Sequence, residues 1–259
     1  MDIRQKIDKR FEVTEIRRLN SSTAFIKVRP EDNSSLPEIF PGQFVNIRVE
    51  GSDIFLRRPI SICYYDSLSH ELWLIVKGVG KGSERLVDSK RGDLLKILLP
   101  LGNSFHLPQS LYKRVLLIGG GVGVAPLYFL ARWFETLGMR PSMLMGARSE
   151  QDLLFIDEFK NIGDVYISTD DGSRGEKGLV TMNSILEKEW DGFYVCGPGP
   201  MMKAVGKIAK DRGIDCQVSL ENHMACGLGA CLCCVEDTRE GNKCVCTEGP
   251  IFNINDLKW

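Results

Sequence analysis

Between Phe11 and about Leu107 the chain alternates short apolar runs with polar turns. TAFIKVRP, QFVNIRVE, RRPISICYY, ELWLIVKGV and LLKILLPLG follow one another, separated by Gly, Pro, Asn and Asp. Short runs at that spacing, rich in β-branched and aromatic residues, predict an antiparallel β barrel or sandwich. The stretch from Glu31 to Pro41 carries prolines and serines and predicts a loop.

At about Pro108 the pattern changes. VLLIGGGVGVAPLYFLARWFETLG reads as an apolar strand, a glycine turn and apolar residues at helical spacing. The strands SMLMGA, DVYISTDD and FYVCG follow, interleaved with the helix-like TMNSILEKEW and PMMKAVGKIAKDRG. Alternating strands and helices predict a parallel sheet. The expected organisation is therefore a β barrel over 1–107, an α/β domain with a parallel sheet over 108–218, and a small C-terminal domain over 219–259. The last is too short to build a large core, so a bound inorganic centre is the expected staple.

Composition narrows the function. The 259 residues are 43% hydrophobic and 26% charged, which excludes disorder for most of the chain. With 33 basic against 34 acidic residues there is no basic stripe, so no nucleic-acid surface is expected. The longest charge-free run, Val115 to Ala131, is interrupted by Gly119, Gly120, Gly121, Gly123 and Pro126, and no membrane span is expected. The N-terminal MDIRQKIDKRFEV lacks the apolar core of a signal peptide, so the expected location is cytoplasmic.

In a reducing compartment, clustered cysteines point to metal or redox work. Six of the nine, Cys226, Cys231, Cys233, Cys234, Cys244 and Cys246, fall within 21 residues, while Cys63, Cys196 and Cys216 are scattered. Taking Cys226, Cys231, Cys234 and Cys246 as ligands gives C-x4-C-x2-C-x11-C, whose first half is the plant-type spacing for a [2Fe–2S] cluster. Gly227 and Gly229 let the backbone curl and turn its amides toward the sulfurs. Zinc is the alternative, although its sites usually show two short cysteine pairs. Cys233 and Cys244 read as spare thiols.

Two further segments suit nucleotides. Arg58-Pro59-Ile60-Ser61 places a guanidinium fork and a hydroxyl on one strand, as a pyrophosphate and a flavin edge would need. It is followed by Ile75-Val76-Lys77 and by a glycine turn at Gly82-Ser83 that offers backbone amides to phosphate. Gly120, Gly121 and Gly123 lie between a strand and a helix start, aiming a helix N-terminus at an anion. Read from Gly121, the run puts Pro126 in the third glycine position of G-x-G-x-x-G, and Arg148 stands near where an acidic ribose partner is expected. A standard Rossmann fingerprint is therefore absent. Cys196-Gly197-Pro198 closes a later strand and adds a second candidate nucleotide loop. His70 and His106 read as surface or packing residues.

In this order the motifs resemble the ferredoxin reductase-like flavoproteins. Within them they are similar to the electron transfer subunits of NAD-linked dihydroorotate dehydrogenases, through LRRPISI, GGGVGVAPL, TDDGSRGEKGLVT, CGPGPMM, MACGLGACLCCV and CTEGPIF. The resemblance implies FAD on Arg58 to Ser61, Ile75 to Lys77 and Gly82-Ser83. It implies nicotinamide nucleotide at the Gly120–Gly123 turn and at Cys196 to Pro198. It also implies a cluster on Cys226, Cys231, Cys234 and Cys246, the last fixed by its place three residues before Gly249-Pro250. Ser83 stands where threonine is more usual, and His223 where arginine is common.

The implied activity is a relay in pyrimidine biosynthesis. Electrons pass from the FMN of a catalytic dihydroorotate dehydrogenase subunit through the cluster and FAD to NAD+, with no general acid or base in this chain and two copies of each subunit. Two alternatives stand beside it. One is a related reductase subunit of the sulfide dehydrogenase or ferredoxin:NADP+ transhydrogenase type; the other is a non-enzymatic zinc-stabilised interaction module. An all-cysteine cluster loop favours the dihydroorotate reading over the transhydrogenase type.

Overall fold

The computed structural model describes residues 5–49, 54–107 and 114–259. Six strands, β1 (Ile7–Asn20), β2 (Thr23–Pro30), β3 (Phe44–Arg48), β4 (Arg58–Asp66), β5 (Glu71–Lys77) and β6 (Leu94–Leu101), close an antiparallel barrel in the order β1-β2-β5-β4-β3-β6. Side chains on alternate residues fill its interior, with Val13, Ile26, Val45, Ile62, Leu74 and Ile97 buried together. β1 begins four residues before the apolar pattern does. Asp8, Lys9, Arg10 and Glu12 disguise it, and it is recruited by pairing with β6 from Ile7↔Leu99 to Glu12↔Leu94. The stretch 31–40 is irregular, as its prolines predict. After β5 comes a short helix, α1 (Lys81–Val87).

The second unit is built on β7 (Val115–Gly120), β8 (Ser142–Ala147), β9 (Val165–Thr169), β10 (Glu176–Lys177), β11 (Gly192–Cys196) and β12 (Asp215–Ser219), all mutually parallel. Its principal helices are α2 (Val124–Thr136), α3 (Ile156–Lys160) and α4 (Gly199–Arg212). β7 lies between β8 and β11, so strand order reverses there. In an open α/β sheet the crevice beyond the carboxyl ends at such a reversal is where ligands bind. The charge-free run Val115 to Ala131 is β7, a 3₁₀ turn and the first half of α2. Among the described residues no helix is long and apolar enough to cross a membrane.

One expected helix is absent. TMNSILEKEW forms two short 3₁₀ turns, Val180–Met182 and Ser184–Glu187. The buried Asn183 between them explains the break. Its Nδ2 donates to the Ile167 carbonyl (3.2 Å) and to Ser168 Oγ (3.0 Å), and its Oδ1 accepts the Ile185 amide (3.0 Å). A side chain so committed to strand β9 prevents a continuous helix.

The C-terminal segment forms a hairpin, β13 (Val235–Thr238) and β14 (Gly241–Cys244), and then β15 (Ile251–Asn253). β15 pairs antiparallel with β12, Ser219↔Ile251 to Gln217↔Asn253, and becomes the outer strand of the seven-stranded sheet. Ile251, Phe252, Ile254 and Leu257 are buried, so this short segment borrows the core of its neighbour. The barrel is tied in as well. Asn103, just past β6, donates its backbone amide to the Gly249 carbonyl (2.6 Å) and its side-chain amide to the Glu248 carbonyl (2.7 Å). The expected boundary at Pro108 lies outside the described residues. We propose the same three-part division, with β15 of the last part paired into the sheet of the second.

Candidate functional site

Arg58 opens β4 half-buried, and its Nη1 donates to the carbonyls of Leu56 (2.8 Å) and Arg57 (3.2 Å). These bonds fix the guanidinium against Gly82 in the first turn of α1. A Cβ on Gly82 would stand 2.7 Å from Arg58 Cζ. Ser83 turns its hydroxyl inward, accepting the Val79 amide (2.9 Å) and donating to the Gly80 carbonyl (3.1 Å). Its hydroxyl thus shapes the turn. Ile75 and Val76 are buried, while Lys77 is exposed. An anchored guanidinium beside a helix start fits an anionic dinucleotide such as FAD.

The two glycine loops meet at the carboxyl ends of β7 and β11, where Cys196 is in register with Gly119. Their glycines do different work. Gly121 has φ +54° and open space where a Cβ would be, a backbone bend free to receive a ligand. Gly120 lies against Pro198 and Met201, and a Cβ on Gly123 would stand 2.7 Å from the Gly197 nitrogen. Gly120 and Gly123 therefore dock one loop on the other. Cys196 is buried and its thiol is pushed up, first by burial and then by the charge of Glu221, against a hydrogen bond with Ser219. The thiol is therefore neutral. Burial likewise raises Glu221, two residues beyond the end of β12, although one side of that side chain remains open.

The cysteine loop folds as its glycines require, with φ +72° at Gly227 and +79° at Gly229. Its amides turn onto sulfur. Leu228 N lies 3.3 Å from Cys226 Sγ, Gly229 N 3.1 Å from Cys246 Sγ, and Cys246 N 3.4 Å from Cys234 Sγ. Burial works to raise the Cys226 thiol, but the amides of Leu228, Cys231 and Ala230 and the Cys231 side chain outweigh it and bring it to about 6. Cys246 is pushed up to about 12 by burial and by its contact with Cys234. Backbone amides thus cap the sulfurs of Cys226, Cys234 and Cys246, and the Cys231 thiol lies close enough to shift the titration of Cys226, as Cys234 does that of Cys246. Among the described residues no three Cys, His, Asp or Glu side chains gather closely enough for a single metal ion. Thiols under backbone amides fit a two-iron group better than zinc. Cys233 is exposed, and Cys244, whose amide is held by Glu248 Oε2 (2.8 Å), lies at the edge of the set.

Asn46 and Glu221 escape the motif reading. Glu221 carried no signal in the sequence. Asn46 did, as a polar residue inside FVNIR, and it is wholly buried with Nδ2 3.4 Å from the Cys226 carbonyl.

Residues 221–258 match the model of the iron–sulfur cluster binding domain of dihydroorotate dehydrogenase B, and residues 117–207 match that of the oxidoreductase NAD-binding domain. The electron transfer subunit of dihydroorotate dehydrogenase B (NAD(+)) from Fusobacterium nucleatum is 40% identical, covering 84% of this chain and 86% of its own. The protein of the same name from Shouchella clausii is 39% identical over the same shares. Among solved structures, an NADH-dependent reduced ferredoxin–NADP oxidoreductase studied for flavin-based electron bifurcation is 30% identical. It superposes with a TM-score of 0.86, over 96% of this chain and 90% of that one. The FAD/NAD-binding domain of Vibrio cholerae nitric oxide dioxygenase shares the fold at 24% identity, TM-score 0.68, over 82% of this chain and 99% of that one.

Proposed function

The chain belongs to the family of dihydroorotate dehydrogenase B electron transfer subunits, and from that premise we propose that it relays electrons from a catalytic subunit that oxidises dihydroorotate to NAD+. The observation that carries this reading is the four-cysteine loop of Cys226, Cys231, Cys234 and Cys246, whose backbone amides point at its sulfurs, on a chain built of a closed barrel and a parallel sheet. When bound, the cluster supplies one-electron steps, FAD converts between one- and two-electron chemistry, and NAD+ takes up a hydride.

The chain's own part is placement and electrostatics. Arg58 and the first turn of α1 offset the charge of the FAD pyrophosphate, and the backbone of Ile75, Val76 and Lys77 borders the flavin. Gly121 opens the β7 turn to nicotinamide nucleotide, and Gly120 and Gly123 lock that turn to Cys196-Gly197-Pro198. The neutral Cys196 thiol packs beside the nicotinamide without adding charge. Cys226, Cys231, Cys234 and Cys246 hold the cluster, and the exposed Leu228 and Leu232 beside them offer apolar surface to the catalytic subunit. That subunit carries FMN, the assembly holds two copies of each chain, and it works in the cytoplasm.

A second reading, a subunit of the reduced ferredoxin–NADP oxidoreductase type, is favoured by the 0.86 superposition. One experiment separates the two. Purified with the subunit that accompanies it, the chain should show flavin and iron–sulfur absorption and reduce NAD+ with dihydroorotate only when both subunits are present. Reduction driven by ferredoxin or sulfide, with none from dihydroorotate, would sink the first reading. A colourless, zinc-containing protein would sink both.

A further inference from the structure

Resting on the relay reading above, we propose that Asn46 is a positioning residue for electron transfer: it ties the ligand loop at Cys226 to the barrel strand beside Arg58–Ser61, and so fixes the cluster site relative to the flavin site. Asn46 lies mid-strand in β3 between Val45 and Ile47, and all three are fully buried. Its Nδ2 donates to the Cys226 carbonyl at 3.4 Å, whereas its Oδ1 is buried with no hydrogen-bond partner. The amide orientation is dictated, because exchanging N and O would set two acceptors face to face.

The contact is close by construction. Gly227 follows the first ligand, and a Cβ there would stand 2.9 Å from Asn46 Nδ2 and 3.2 Å from Leu101 Cδ1. A glycine at this point lets the loop settle directly on the barrel. On the other side, Asn46 is the cross-strand partner of Pro59, next to Arg58. Its backbone carbonyl accepts Arg57 Nη1 at 3.2 Å, and Arg57 is itself held by both oxygens of Asp8, at 3.0 and 2.9 Å. From the strand proposed to carry the flavin, the route to the Cys226 sulfur is therefore short: one cross-strand step, one hydrogen bond, and the bonds of the ligand residue.

Packing alone does not account for asparagine here. Leucine has similar volume and would leave no unpaired acceptor in the core, a defect that native proteins seldom keep without cause. What asparagine supplies and leucine cannot is a donor aimed at the backbone of a cluster ligand. Its donor compensates the negative end of the Cys226 carbonyl, and losing it leaves that negative end bare on a cluster ligand, which disfavours the more negative, reduced state. Asn46 also holds the loop at a fixed distance from β3.

The test uses the full chain co-purified with its partner and three variants, Asn46→Leu, Asn46→Asp and Asn46→Gln. The readouts are the cluster midpoint potential, followed by paramagnetic resonance during a redox titration, and the rate at which electrons equilibrate between flavin and cluster after mixing with NADH. Asn46→Leu, and Asn46→Asp measured at a pH high enough to ionise its carboxyl, lack the donor and should lower the potential by the equivalent of a tenfold change, about 59 mV for one electron. They should also slow equilibration at least tenfold. Asn46→Gln retains the donor and should stay within twofold of the parent. Losses of iron content and thermal stability, with parental potential and rate in the loaded fraction, would overturn the proposal. If Asn46→Leu does not accumulate, the contrast between Asn46→Asp and Asn46→Gln decides. A parent protein without flavin and cluster absorption would overturn the relay reading itself, an outcome visible before any variant is made.

Discussion

The guanidinium of Arg58 occupies the space that a side chain on Gly82 would need. These residues belong to different elements, β4 and α1, and their contact turns two weak motifs into one charged corner. A methyl group at Gly82 has nowhere to go while Arg58 keeps its bonds to Leu56 and Arg57. Gly82→Ala should therefore displace the guanidinium and weaken FAD binding at least tenfold, about 1.4 kcal/mol. Titrating FAD into flavin-depleted protein by fluorescence measures this. Unchanged affinity would remove the pair from the flavin site.

The cysteines divide by geometry. Cys246 shares the amide of Gly229 and the company of Cys234, whereas Cys244 sits at the rim with its amide held by Glu248. Cys246→Ser should abolish the visible and paramagnetic signals of the cluster, and Cys244→Ser should leave them in place. The reverse pattern would reassign the ligand.

Asn183 replaces a helix by bonds to β9. Asn183→Ala strands the Ile167 carbonyl and the Ile185 amide in a buried setting, and a loss of about 2 to 3 kcal/mol is expected. Urea unfolding of the full chain checks the figure. A loss under about 0.5 kcal/mol would show that the two 3₁₀ turns hold without it.

Glu221 gives a pH dependence whose sign follows from its shift. Desolvation raises this carboxyl, though its side chain is exposed on one side, above its ordinary value of 4.5, so between that value and the raised one the folded, cofactor-free chain holds more proton than the unfolded chain. Stability from this group is complete below about 4.5 and is lost as pH rises through the raised folded value. In the cofactor-free chain, Glu221→Gln should flatten that part of the stability profile and be the more stable form at pH 7.5. Parallel profiles for the two proteins would show that Glu221 is solvated.

The barrel followed by a parallel sheet was legible because both signals are local: short β-rich runs between turn formers, then strands alternating with helical spacing. β1 was less legible, since the charges that mask it become tolerable only once β6 pairs with it. TMNSILEKEW misled because helical spacing cannot reveal that Asn183 will face a strand 16 and 15 residues upstream, at Ile167 and Ser168. Spacing and resemblance together propose Cys226, Cys231, Cys234 and Cys246 as the ligand set, but neither reveals the contact of the Cys246 amide with the Cys234 sulfur. That contact depends on how the β13–β14 hairpin returns Cys246 to Cys234.

By itself, then, the sequence determined the kinds of chemistry available: a thiol loop curled by Gly227 and Gly229, an arginine strand and two glycine turns. These depend on backbone freedom and residue type over a few positions, which a linear pattern records. Tertiary structure alone decided which of those parts touch. It put Gly123 under the Cys196 loop, Arg58 in the gap at Gly82, β15 on the edge of a sheet that the C-terminal segment could not build, and Asn46 against Cys226 from 180 residues away. Such contacts follow from barrel closure and strand order, which are set by the burial of the whole apolar surface at once rather than by any local run.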